Sequence, residues 1–172
     1  IIYSEDFKMQ RTQIKSIYLA EKDYDGKTIT VGGWARSIRA SNAFGFIELN
    51  DGSCSGNLQV VFEADKLANY TEIAKQNVGA ALVVHGTLVL TPDAKQPFEL
   101  KAAAIEVEGV STPEYPLQKK KHSFEFLRTI AHLRPRANTF NAVFRVRSEC
   151  AFAIHEFFNS RGFVYVNTPI IT

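Results

Sequence analysis

Features that mark most functional classes are scarce in this sequence. It has two cysteines, one methionine and one tryptophan in 172 residues. Cys54 and Cys150 lie far apart, one beside a turn and one in an expected helix. They read as free thiols of a reducing cytosol rather than as a disulfide framework. The four histidines, His85, His122, His132 and His155, show no metal-ligand spacing, and no thiol or carboxylate cluster joins them. No metal site is therefore expected. A glycine-rich phosphate loop and a nucleophile motif are both missing, which speaks against an enzyme complete within these residues. No apolar run reaches bilayer length. The opening Ile1-Ile2-Tyr3-Ser4-Glu5-Asp6 lacks an initiator Met and the basic and apolar regions of a secretion signal. Together with the thiols, this gives a cytoplasmic expectation. Charge of one sign is also scarce, at a formal net +2. That excludes a histone-like polycation, so any nucleic-acid contact must be local and made by shape, stacking and base edges.

What the chain does have is a set of β-type runs carrying aromatic rings. In Phe44-Gly45-Phe46-Ile47-Glu48-Leu49, alternation puts Gly45, Ile47 and Leu49 on one face and Phe44, Phe46 and Glu48 on the other. If the aliphatic face fills a barrel, two rings remain outside. An outward ring beside Arg36 and Gln59 is the equipment for stacking and reading an unpaired base.

Strands are expected over residues 28–38, 44–49, 58–62, 80–89 and 98–107. Asp25-Gly26 and Asn50-Asp51-Gly52-Ser53 supply turn chemistry. Gly32-Gly33 suggests a bulge or a sharp bend in the first strand. Residues 66–76 switch to helical period, with Asp65 as the expected N-cap. Three strands, a helix and two strands form the layout of a five-stranded OB-fold barrel, with a binding face centred on strands two and three. The fold class is thus mainly β. Residues 1–108 are assigned to this barrel domain and residues 109–138 to a linker or hinge, with a short basic run at Lys119-Lys120-Lys121-His122 that reads as solvated. A long helix then opens at Asn138 or Thr139, reaches Arg161 and stops at Gly162. Its stripe of Phe140, Val143, Phe144, Cys150, Ala151, Ile154, Phe157 and Phe158 reads as core, and Trp34 is also expected in a core. The chain closes on the apolar run 163–166 and Pro169-Ile170-Ile171-Thr172, expected as a strand needing a partner, hence part of something larger.

Gly33-Trp34-Ala35-Arg36, Phe46-Ile47-Glu48-Leu49 with Asp51-Gly52, Leu58-Gln59-Val60-Val61 and Phe98-Glu99-Leu100 together resemble the anticodon-binding barrel of class II aminoacyl-tRNA synthetases of the aspartate, asparagine and lysine group. Ile154-His155-Glu156-Phe157-Phe158, Gly162-Phe163, Val166 and Thr168 to Thr172 resemble motif 1, the helix–strand start of the class II α+β catalytic domain, giving a third assignment over residues 139–172. Phe124 to Arg128 and His132 to Asn138 favour the bacterial asparaginyl branch. Asn50 and Ala137 depart from residues common in relatives, the first in a way that also fits that branch.

The resemblance implies roles that the residues alone leave open. Phe46 would stack on the central anticodon base, a uridine, and Gln59 would read a base edge. Arg36 would contact RNA, and Glu99 would accept from the first, guanine-type base. Phe163 and Pro169 would belong to a homodimer interface. The implied partner is the anticodon loop of tRNA(Asn), and the implied whole enzyme is an asparagine–tRNA ligase using ATP and Mg²⁺. Motifs 2 and 3 are not in this sequence, so it carries no expected catalytic residue or cofactor and should be inactive alone. Two other readings stay open: an aspartyl-type enzyme that charges one or both tRNAs, and a stand-alone OB-fold binder of single-stranded nucleic acid.

Overall fold

Period-two patterning becomes five strands that close on themselves. The computed structural model describes residues 11–169; the opening Ile1–Asp6 stretch and the closing Ile170-Ile171-Thr172 of the motif 1 resemblance lie outside the described residues. Strands β1 (Thr28–Ala40), β2 (Phe44–Asn50), β3 (Leu58–Glu63), β4 (Ala81–Leu90) and β5 (Phe98–Gly109) pair in the order β1-β2-β3-β5-β4 and back to β1 as a closed barrel. Only β3 and β5 run parallel. Closure leaves no long unpaired edge, which protects the sheet from pairing with another chain. In β2 the inward Ile47 and Leu49 are fully buried, as are Leu58, Val60 and Phe62 of β3. In β5, Phe98 and Leu100 point in and Glu99 and Lys101 point out, as the alternation requires.

Gly45 has a specific job in this core. A Cβ there would collide with the ring of Phe62, its partner across the β2–β3 ladder. The bare glycine therefore lets a fully buried ring lie over the backbone. Gly33 marks the corner where β1 changes partner from β4 to β2; an added Cβ would stand 2.7 Å from the carbonyl oxygen of Asn50. The sharp bend expected at Gly32-Gly33 is thus present, but the bulge is not there. The register slips between Ala35 and Ser37, which makes Arg36 the extra residue. Trp34 is 39% exposed and not in the core. Alternation from the buried Val31 and Ala35 turns it outward.

Helical pieces close the barrel. The segment before β1 forms α1 (Ile14–Leu19) and α2 (Glu21–Tyr24). Ile14 and Ile17, spaced one turn apart, are fully buried. The carboxylate of Asp51 accepts from the Ile14 N–H at 2.8 Å, so a residue of the β2–β3 turn caps α1 from outside the helix. The helix between β3 and β4, α3, is only Tyr70–Ala74. Residues 64–66 turn instead, with Leu67 N–H bonding the Glu63 carbonyl and Lys66 pairing with Glu63 at 2.7 Å. Asp65 therefore caps nothing, and α3 is held by burial of Ile73 and a Tyr70 hydroxyl bond to the Ser41 carbonyl at 2.7 Å.

The chain divides into two compact units at His122/Ser123. The second contains α4 (Phe124–Thr129), a 3-10 turn at Arg134–Arg136 and α5 (Asn138–Asn159). The Ser123 hydroxyl accepts from the Phe126 N–H and caps α4. The guanidinium of Arg134 lies 5.1 Å and 5.5 Å from the ring centres of Phe140 and Phe144. α5 ends in a left-handed stop. Gly162 sits at φ +83, Gly162 N–H bonds Asn159 C=O, and Phe163 N–H bonds Phe158 C=O. Phe158 and Phe163 pack edge to face at 5.4 Å across this cap. Two expectations fail here. No residue of α5 is buried, so its apolar stripe is not a core among the described residues. Residues 163–169 form no strand, because no described segment offers them a ladder partner.

Candidate nucleic-acid interface

Strand register assembles two outward rungs from residues far apart in sequence. One runs Ser37–Glu48–Gln59–Glu99 and the other Arg39–Phe46–Val61–Lys101. Phe46 lies half-buried on the outer face while its neighbours Gly45 and Ile47 point inward. Phe44, 47% exposed, meets Phe46 edge to face at 5.6 Å, which restrains the ring without burying it. Arg39 and Lys101 are exposed cations at either side of the ring's rung. Sequence patterning did not single them out; only the register shows that they flank Phe46.

Gln59 stands diagonally across the ladder from Phe46, where such neighbours are roughly 7–8 Å apart and within reach of long side chains. A ring stacked on Phe46 would therefore present its edge toward Gln59. The Gln59 amide donates to Glu99 Oε1 at 2.7 Å, and Gln96 donates to the same oxygen at 2.6 Å. Gln96 belongs to the β4–β5 loop and was also missed in the sequence. Its one signal is a position three residues before an outward carboxylate. The loop is pinned by Thr91, whose hydroxyl donates to Gln96 C=O and whose N–H bonds Pro97 C=O, both at 2.8 Å. Arg36, half-buried, is placed by the bulge, a device that re-aims side chains on sheets next to binding sites. The face thus brings Phe46, Gln59 and Glu99 onto neighbouring rungs, with Arg36 at the bulge beside Ser37 and Glu48.

Glu48 is the anchored acid of the face. Its Oε2 accepts from the nearly buried Ser37 hydroxyl at 2.6 Å and lies 3.7 Å from Lys119 Nζ. The Ser37 hydrogen bond, helped by the Lys119 and Arg39 charges and opposed by partial burial, holds its carboxyl below the ordinary glutamate range. Residue 119 of the expected linker therefore reaches the outer face of the barrel. A depressed carboxyl stabilises the fold above its unfolded value, and that contribution is lost as pH falls through the folded value. Ser37→Ala should therefore cost stability near neutral pH, by less than about 1 kcal/mol because the Glu48 side chain remains 35% exposed and water screens it. The gap to the parent chain should shrink as the pH drops below the ordinary glutamate range. Urea midpoints measured from pH 7 to pH 3 check this, and a gap independent of pH would refute it.

Among the described residues no group of three or more His, Cys, Asp or Glu is placed to hold a metal ion, and no helix is long and apolar enough to cross a membrane. Cys54 and Cys150 are free thiols, the first half-buried and the second exposed. Phe163 packs on the α5 cap and is 61% exposed; Pro169 is exposed too.

Residues 29–108 match a family described as the OB-fold nucleic acid binding domain. The asparagine–tRNA ligase of Acetivibrio thermocellus is 68% identical over 164 residues, covering 95% of this chain and 35% of that protein. That of Alkaliphilus oremlandii is 61% identical over the same length and coverage. Among solved structures, asparaginyl-tRNA synthetase from Pyrococcus horikoshii complexed with asparaginyl-adenylate superposes with a TM-score of 0.83 at 20% identity, over 94% of this chain and 37% of that one. Aspartyl tRNA synthetase from Entamoeba histolytica gives a TM-score of 0.77 at 18% identity, over 95% and 40%. At those identities the superpositions establish the fold. The chain spans about a third of the length of the curated relatives it matches.

Proposed function

We propose that this chain, an OB-fold nucleic acid binding domain homologous to part of the asparagine–tRNA ligases, binds the anticodon loop of tRNA(Asn) through the outer face of β1, β2, β3 and β5. The observation that carries this reading is the outward ring of Phe46 set diagonally to the Gln59–Glu99 pair. Phe46 stacks on the central base, and the Gln59 amide meets that base's edge. Glu99 accepts from N–H groups of the first base. Arg36 contacts RNA from the bulge, and Arg39 and Lys101 sit where phosphates on either side of the stacked base would pass. Such a division, cations for the backbone and amide and carboxylate for base edges, separates affinity from sequence choice.

The whole protein, on this reading, is a cytoplasmic enzyme that uses ATP and Mg²⁺ to join asparagine to its tRNA. It is a homodimer to which Phe163 and Pro169 contribute. The high identity to asparagine–tRNA ligases supports the asparaginyl over the aspartyl reading. Filter binding of tRNAs that differ only in the anticodon tests the function. Tightest retention of the asparagine anticodon is expected; equal retention of every anticodon would end it.

A further inference from the structure

Glu99 holds two amides at once, accepting at one oxygen from Gln59 Nε2 and Gln96 Nε2. A side-chain amide carries a carbonyl acceptor and an NH2 donor on nearly the same outline, so an unrestrained glutamine can turn over and satisfy opposite base edges. An ionised carboxylate only accepts. Gln59 therefore cannot turn over without setting its own carbonyl oxygen against Glu99 with no proton between them.

We propose that Glu99 is a positioning residue that locks the Gln59 amide with its nitrogen toward β5, and that this lock makes the face choose a base offering a ring N–H beside a carbonyl (uracil or guanine) over one offering a ring acceptor beside an amino group (cytosine or adenine). The proposal rests on the reading of Gln59 as a base-edge contact. One hydrogen of Gln59 Nε2 is committed to Glu99. The other stays beside the Gln59 carbonyl, and that acceptor–donor pair matches N3–H and O4 of uracil. Cytosine presents N3 and its amino group at the same places and needs the reversed amide. Reversal breaks the Glu99 bond and leaves two acceptors facing each other at a half-buried position, a mismatch that works against the reversed base contact. Gln96 strengthens the lock: with its loop pinned by Thr91, it donates to the same carboxylate oxygen and helps hold it in place.

Two anticodon stem-loop RNAs, identical except for U or C at the central position, are titrated at fixed salt against the parent chain, Glu99→Gln and Gln59→Ala, with circular dichroism confirming each fold. The parent should favour U by at least about tenfold, within the range a good bidentate contact gives. In Glu99→Gln the new amide satisfies Gln59 in either orientation, so the two RNAs should bind within about threefold of each other. Because both RNAs share the first base, any contact of residue 99 with that base cancels in the ratio. Gln59→Ala should lose the preference as well. A preference retained in Glu99→Gln but lost in Gln59→Ala overturns the lock alone. A preference retained in Gln59→Ala, or absent from the parent, overturns the base-reading role and the lock with it.

Discussion

Phe46→Ala is expected to weaken binding of an asparagine anticodon stem-loop by about 1–3 kcal/mol, the usual value of one base stacked on an aromatic ring. Folding stability should change little, because the ring lies on the outer face and fills no part of the core. Phe46→Trp should keep most of the affinity, since any π-face of sufficient size serves. Phe46→Leu should behave like the alanine variant, although it retains apolar area. That contrast separates stacking from simple hydrophobic contact. The loss should also persist at raised salt, where phosphate contacts by Arg36, Arg39 and Lys101 weaken. Unchanged affinity in Phe46→Ala, with the barrel folded, would remove the physical basis of anticodon recognition at this face.

Phe62→Ala should cost about 3–5 kcal/mol of folding free energy, the range for deleting a fully buried ring. Little can collapse into the space, because the ring covers a residue without a side chain, Gly45, inside a closed barrel. The same contact predicts how two changes combine. Gly45→Ala alone should destabilise by about 1–3 kcal/mol through overpacking against Phe62. In the Phe62→Ala background the added methyl no longer meets the ring and keeps only its 3.0 Å approach to the Arg39 carbonyl oxygen, so the double variant should be more stable than the sum of the single effects. Denaturant unfolding of the four proteins measures this. Strict additivity would show that Gly45 and Phe62 do not share the space assigned to them. RNA binding by the folded fraction of Phe62→Ala should survive, since the outer rungs are set by backbone register.

Much of the barrel could be read from the chain because strand patterning is local. Strict alternation in Phe44–Leu49 and Phe98–Ala102 says which side chains enter the core, and the structure places all of them there. Where reading failed, a distant partner or a competing local preference made the decision. Ile14 and Ile17 form a buried helix capped by Asp51, 37 residues away. The helix expected over residues 66–76 shrank to Tyr70–Ala74 because a Glu63–Lys66 turn competes for its first residues. Trp34 looked like core by size, yet its parity on β1 sends it outward.

The linear sequence determined the dry and wet faces of β2 and of the start of β5, and with them the outward ring of Phe46, because a side-chain period of two is fixed by neighbours along the backbone. Tertiary structure alone decided that Arg36 is the bulge residue, that Arg39 and Lys101 flank Phe46, and that Gln59 meets Glu99 across 40 positions. Arg36 and Arg39 rest on the β1–β2 register, and Lys101 and the Gln59–Glu99 bond on the parallel β3–β5 pairing; register is a property of two segments that no single segment carries.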